Sequence, residues 1–257
     1  MSEFLPLALG ALLAASLGCS RSTQTAADAG HAMPLPAERQ LPAASKPAGA
    51  TGSLEGRVRW LGPRPVLPPL PTSASVQSVC GSEVADNAFQ VNSAGEVAEV
   101  VVWVDAPASS VVPESEVLLD QRGCVYQPAV LGARAGGTVR LRNSDPLTHT
   151  VHAVRQGKSL FNLAMPLERM ELVRPLPAEP TVVDIRCDVH PWMHATVRTF
   201  EHSHFTTTTA DGRFRLVGLD PGELEVHAWH PRLGEASHRV RVAEGATHTD
   251  FDFGGRP

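Results

Sequence analysis

The chain has 257 residues and a mass of 27.4 kDa, enough for one large or two medium domains with buried cores. Its formal charge of −5, pI near 6.1 and charged fraction of 19% lack the basic excess of a nucleic-acid binder, so no nucleic-acid partner is expected. Gly (21) and Pro (22) are abundant and no apolar run of about eighteen residues follows Cys19, which excludes a polytopic helical membrane protein.

Residues Phe4 to Gly18 form an Ala/Leu-rich apolar stretch ending in Ser16-Leu17-Gly18-Cys19, the small-residue junction of an export signal. The junction resembles a bacterial lipoprotein signal, which implies lipidation at Cys19 and a membrane anchor there. Ser16 stands where such signals usually carry Leu, and an ordinary cleaved signal or an uncleaved anchor are the alternatives. Each of these places the remainder outside the cytoplasm, in the periplasm or on the cell-surface side of a bacterial membrane. Residues 20–52 are rich in Ala, Ser, Thr, Pro, Gln and Gly, with too little apolar surface to offset the entropy of ordering. They read as a disordered tether.

From there on, short apolar or alternating runs are separated by Gly, Pro, Asp and Asn, with no helical period sustained for three turns. The predicted class is all-β. Strands are expected at Leu54–Trp60, Val97–Val104, Thr138–Arg142, His149–Val154, Thr181–Cys187, Ala195–Phe200, Arg213–Val217, Leu224–Trp229, Ser237–Val242 and Thr249–Phe253. That number implies two sandwiches. Gly62–Pro71 holds five prolines and reads as an extended surface loop.

Asp211-Gly212 is the expected turn of a hairpin between Thr206–Thr209 and Phe214–Leu216, and Asp220-Pro221-Gly222 is a second turn. These turns and the strands after them resemble a carboxypeptidase regulatory-like domain, a transthyretin-like sandwich, which implies a non-catalytic module over 203–257. Too few strands lie there to close it. The segment 53–110, with its opening strands and Pro-rich loop, is therefore expected to pair with the C-terminal strands around an inserted central domain at 111–202.

The central segment contains Cys187-Asp188-Val189-His190-Pro191-Trp192-Met193 and, upstream, Asn143-Ser144-Asp145-Pro146-Leu147-Thr148-His149-Thr150. A thiolate, two imidazoles and a thioether are the ligand set of a type 1 copper site. Val183, Ile185 and Cys187 share one face of a strand, so the sulfur arrives pointing inward and the loop beyond can return His190 and Met193 to the same ion. Over Glu116–Glu201 these motifs resemble the cupredoxins, most closely the amicyanin and plastocyanin group. The resemblance implies His149, Cys187, His190 and Met193 as ligands of one copper ion. His152 is the rival for the first position.

Many cupredoxins carry Asn after the first His. Here Thr150 takes that place, its hydroxyl able to bond similarly with less reach, and Asn143 is expected beside it in support of the ligands. Pro191 and Trp192 are expected to form an apolar collar around an exposed edge of His190, the electron route and the docking patch for a redox protein. His194, His227 and His230 read as solvated, the pair His202 and His204 as a polar loop or a second metal site, and Met165 as packing. With Cys19 and Cys187 assigned, Cys80 and Cys124 form an even remainder and the expected disulfide, stabilising by about 4 kcal/mol in the chain-entropy model.

These readings imply a blue copper protein carrying single electrons between redox partners. The alternatives are copper storage or delivery with the same ligands, and a structural or binding protein of two sandwiches. No paired carboxylates, Ser/His/Asp set or open metal position can be read, so a non-enzyme is expected.

Overall fold

The computed structural model describes residues 51–106 and 115–254. The export segment, the tether and Cys19 lie outside the described residues. Among the described residues there are nineteen strands, one short helix at Gln77–Cys80 and one 3-10 turn at Ala74–Val76. None of the helices is long and apolar enough to cross a membrane. The protein is all-β.

The central sandwich packs a five-stranded sheet on a four-stranded one. The first has the order Lys158–Met165, His149–Arg155, Val182–Arg186, His194–Phe200 and Val130–Arg134, the last two parallel. The second runs Glu171–Pro175, Thr138–Asn143, Glu116–Arg122 and Val125–Gln127. Strict alternation drives the assembly: in Thr138–Asn143 the residues Val139, Leu141 and Asn143 are buried while their neighbours are half-exposed. Leu119, Leu141, Val151, Ile185 and Val197 fill the space between the sheets.

A second pair of sheets is built from both ends of the described chain. Gly52–Trp60 pairs with Arg213–Leu219 on one side and with Gly245–His248 and Phe251–Phe253 on the other. Facing it, Val101–Val104 lies between Phe205–Thr207 and Gly222–His230, which in turn pairs with Gly234–Val242. Leu54, Val58, Val102, Val104, Phe214, Val226 and Phe251 form its core.

The run Val100-Val101-Val102-Trp103-Val104 is apolar throughout because its strand is covered on both faces. Val102 and Val104 belong to the second core. Val101 and Trp103 face the other way, against Val130, Phe200, Phe205 and Trp229. Glu99 fastens the same junction, accepting the backbone N–H groups of Ala129 at 2.8 Å and Val130 at 3.0 Å.

The expected hairpin at Asp211-Gly212 requires correction. The turn itself forms, with Gly212 at a φ of 69° and Thr209 N–H donating to Arg213 O at 3.0 Å. Its arms then part into different sheets, because Phe205 stacks on Phe200 at the junction while Phe214 enters the second core. Glu116–Arg122, Val125–Gln127, Val130–Arg134, Lys158–Met165 and Glu171–Pro175 are not among the expected strands; the last two are edge strands whose largely exposed residues leave little apolar alternation to see.

Candidate metal centre

Val182–Arg186 alternates buried Val183 and Ile185 with exposed Asp184 and Arg186, and so delivers Cys187 to the buried face. The chain then folds back on itself: Met193 N–H donates to His190 O at 3.0 Å and Cys187 N–H donates to Met193 O at 3.2 Å. This short loop turns His190 and Met193 inward, and both are buried. His149, at the start of the neighbouring strand, is fully buried as well.

The Nδ1 atoms of His149 and His190 face each other at 2.9 Å, and Cys187 Sγ lies 3.7 Å from His190 Nδ1. All three ligand atoms lie within 4.8 Å of one another. Met193 packs in the core cluster that contains Cys187. Two facing imidazole nitrogens can share one proton at most, and a soft cation satisfies both together with the sulfur. The donor set therefore fits copper.

Electrostatics favour a thiolate. Burial opposes ionisation of Cys187, but the neighbouring His149 imidazole, the Thr150 N–H and hydroxyl, and the Val189 N–H outweigh it and pull its pKa down. Thr150 N–H is 3.3 Å from the sulfur and its hydroxyl 3.6 Å, while the same hydroxyl accepts the Asp188 N–H at 2.7 Å. Thr150 thus ties the two ligand segments together. Burial depresses the pKa of His190, helped by the charge of His149. Burial acts on His149 in the same direction, yet Asp145 and Cys187 overcome it and raise its pKa.

Asp145 has the part that the sequence reading missed. Its Oδ2 receives His149 Nε2 at 2.9 Å, which leaves Nδ1 to face the centre. The same carboxylate accepts the N–H groups of Gly123 at 2.7 Å and Cys124 at 2.8 Å, and these bonds hold its pKa low despite burial. A buried imidazole ligand needs a partner for its other nitrogen, and an acid four residues upstream was the available signal. Asn143 shapes this loop. Its Nδ2 donates to Leu147 O and Met165 O, each at 2.9 Å, and its Oδ1 accepts the Asp145 N–H at 3.0 Å.

The expected exposed edge of His190 is not what the structure places. The ring is 3% exposed. Trp192, packed with Val84, Val125, Leu70 and Leu147, leans over it at a ring distance of 5.1 Å, while Pro191 stays exposed. Cys80 and Cys124 are joined as a disulfide, so the close grouping of Cys124, Asp145 and His149 offers no second thiolate site.

His152 lies an odd number of positions from His149 and falls on the opposite strand face, bonded to Asp188 at 3.0 Å and Ser159 at 3.1 Å. His194 is exposed with Nε2 near Pro191 O, and Met165 is buried with its sulfur 3.0 Å from Gln121 Nε2. The rings of His202 and His204 are 6.3 Å apart and join no third ligand among the described residues. His227 and His230 are not solvated. His227 stacks on Trp103 between Asp105 and Glu235, and His230 is buried beside Phe89.

The fold and site define an all-β protein whose central sandwich brings two imidazoles and a thiol together. No protein-family model and no curated protein matches the chain. Solved structures similar to it include the purple cupredoxin from Nitrosopumilus maritimus, 24% identical over 33% of this chain and 99% of that one, with a TM-score of 0.29. A mutant of amicyanin in its Cu(I) form is 21% identical over 38% of this chain and 98% of that one, at 0.31. The copper-containing nitrite reductase from Thermus scotoductus SA-01 is 18% identical over 39% and 26%, at 0.30.

Proposed function

We propose that this is a type 1 copper protein that carries single electrons, in which His149, Cys187, His190 and Met193 would hold the copper. The observation that carries this reading is the convergence of two imidazole Nδ1 atoms and one thiol, all buried. Copper bound there would supply a one-electron couple. The chain's own residues keep the donor atoms fixed: Thr150 bonds the sulfur, Asp145 orients His149, and the apolar core around Met193 and Trp192 keeps water out.

The partner is a redox protein docking weakly at the ligand loop, where Pro191 and Val189 are exposed next to Trp192. The export segment supports a periplasmic or cell-surface location with a lipid anchor at Cys19, and the second sandwich serves as a non-catalytic module of carboxypeptidase regulatory-like type. In this reading the protein is a carrier, not an enzyme. Adding Cu(II) to the purified protein tests it: an intense visible copper–thiolate band that disappears in Cys187→Ser is expected. A colourless protein, or colour that survives the substitution, overturns it. Reversible voltammetry supports electron transfer over copper storage, whereas rapid copper loss to a modest chelator supports storage.

A further inference from the structure

Gly123 and Cys124 form a two-residue turn between Glu116–Arg122 and Val125–Gln127, with φ of 62° and 61°. Both residues lie in the left-handed region, as a type I′ turn requires. Glycine occupies it freely, but a side chain there costs on the order of 1–2 kcal/mol. Something must hold Cys124 in place, and three bonds do. Its side chain is joined to Cys80, 44 residues away, and its sulfur is fully buried with it. Its N–H donates to Asp145 Oδ2 at 2.8 Å, and its carbonyl accepts Trp192 Nε1–H at 2.9 Å.

The far ends of these bonds meet the metal centre from two sides. Asp145 Oδ2, the oxygen bonded to Cys124, is also the oxygen bonded to His149 Nε2. Trp192, hung from the Cys124 carbonyl, is the ring that covers His190. One backbone unit therefore sets the orientation of one imidazole and the cover of the other.

We propose that Cys124, locked by its bridge to Cys80, is the positioning residue of the copper centre, holding Asp145 against His149 and Trp192 over His190. This rests on the copper reading above. The bridge does more than close a loop: it holds the turn in the conformation that aims its N–H at the carboxylate and its carbonyl at the indole. Loss of such supports typically weakens metal binding about 10–100-fold while the ligands remain.

The test compares the full chain with Cys80→Ala/Cys124→Ala. The bridge-free protein is expected to bind one copper with a shifted visible band and altered EPR hyperfine splitting. It should also release copper to a chelator about tenfold faster. A folded bridge-free protein with the parent's spectrum and release rate overturns the proposal. If that variant does not fold, Asp145→Asn, Trp192→Phe and their combination replace it. Effects on release rate that fall short of additive support a shared anchor, and strictly additive ones overturn it.

Should the parent protein give no copper–thiolate band, the copper reading fails by itself, and the clamp is read on the metal-free protein. Removing the bridge should then shift the His149 Nε2–H resonance and speed hydrogen exchange of the Trp192 indole at least about tenfold. Unchanged exchange and shift overturn the clamp.

Discussion

In the sandwich around Leu54, Val102 and Phe214 the core between the sheets is largely apolar, with His230 the buried polar ring at one end of its strand. In the sandwich around Leu141 and Ile185 the same layer includes Cys187, and at one end it continues into buried His149, Asn143, Gln121 and Asp145. Each of these residues makes at least one hydrogen bond to a segment far away in the chain. Buried polar groups are costly unless they are paired, so the polar end of one core marks where the fold gives up simple packing to build a site.

The largest expected effect would break this comparison at its polar end. Cys187→Ser should abolish the visible copper–thiolate band altogether, measured by absorption during Cu(II) titration, while the melting temperature of the metal-free protein moves little. Next in size, Leu54→Ala should destabilise the protein by about 3 kcal/mol through the cavity it leaves, measured by urea unfolding. Its copper band should keep the parent's position. A shifted band would show that the two cores are not separate in function.

A pH experiment sharpens the contrast between two buried histidines. His149 has Asp145 beside it, and its pKa is raised. His230 only accepts the Arg232 N–H, and burial, helped by the Arg232 charge, pushes its pKa down to about 4. Between about pH 6.5 and 4 the unfolded chain holds a proton at His230 that the folded protein refuses. The stability this residue contributes is therefore complete above pH 6.5 and is lost as the pH falls toward 4, by roughly 3 kcal/mol in all. His230→Gln should flatten that acid limb in urea unfolding series at pH 7 and pH 4.5. An equally steep loss in the variant would assign the limb to other groups.

The smallest effect is expected on the surface of the central sandwich. Arg140 bridges Glu116 at 2.7 Å and Glu171 at 3.0 Å across three adjacent strands, but it is exposed to solvent and salt. Arg140→Gln should leave the copper band unchanged and the melting temperature nearly so. A clear fall in melting temperature would show that this exposed cross-strand pair supports the sandwich as the buried polar end does.

Much of the candidate site was legible because its signals are local. The alternation through Val183 and Ile185 fixes which way Cys187 points, and the short step to His190 and Met193 requires a returning loop. His149 over His152 rested on the resemblance alone, and the structure puts the two on opposite strand faces. The pairing of Cys80 with Cys124 followed from counting. Less was visible in the edge strands and at Asp211-Gly212, where identical local turn chemistry serves either one hairpin or a step between two sheets.

What the sequence by itself determined is the all-β class and the set of residues able to hold a soft metal, since periodicity and ligand chemistry are properties of neighbouring residues. Only the tertiary structure decided that Val101–Val104 is covered on both faces, that His190 is roofed by Trp192, and that His227 and His230 are withdrawn from water. It also decided that Asp145, held by Cys124, stands behind His149. The reason is physical: burial and partnership of a polar group depend on which distant strand arrives against it, and no local pattern encodes that arrival.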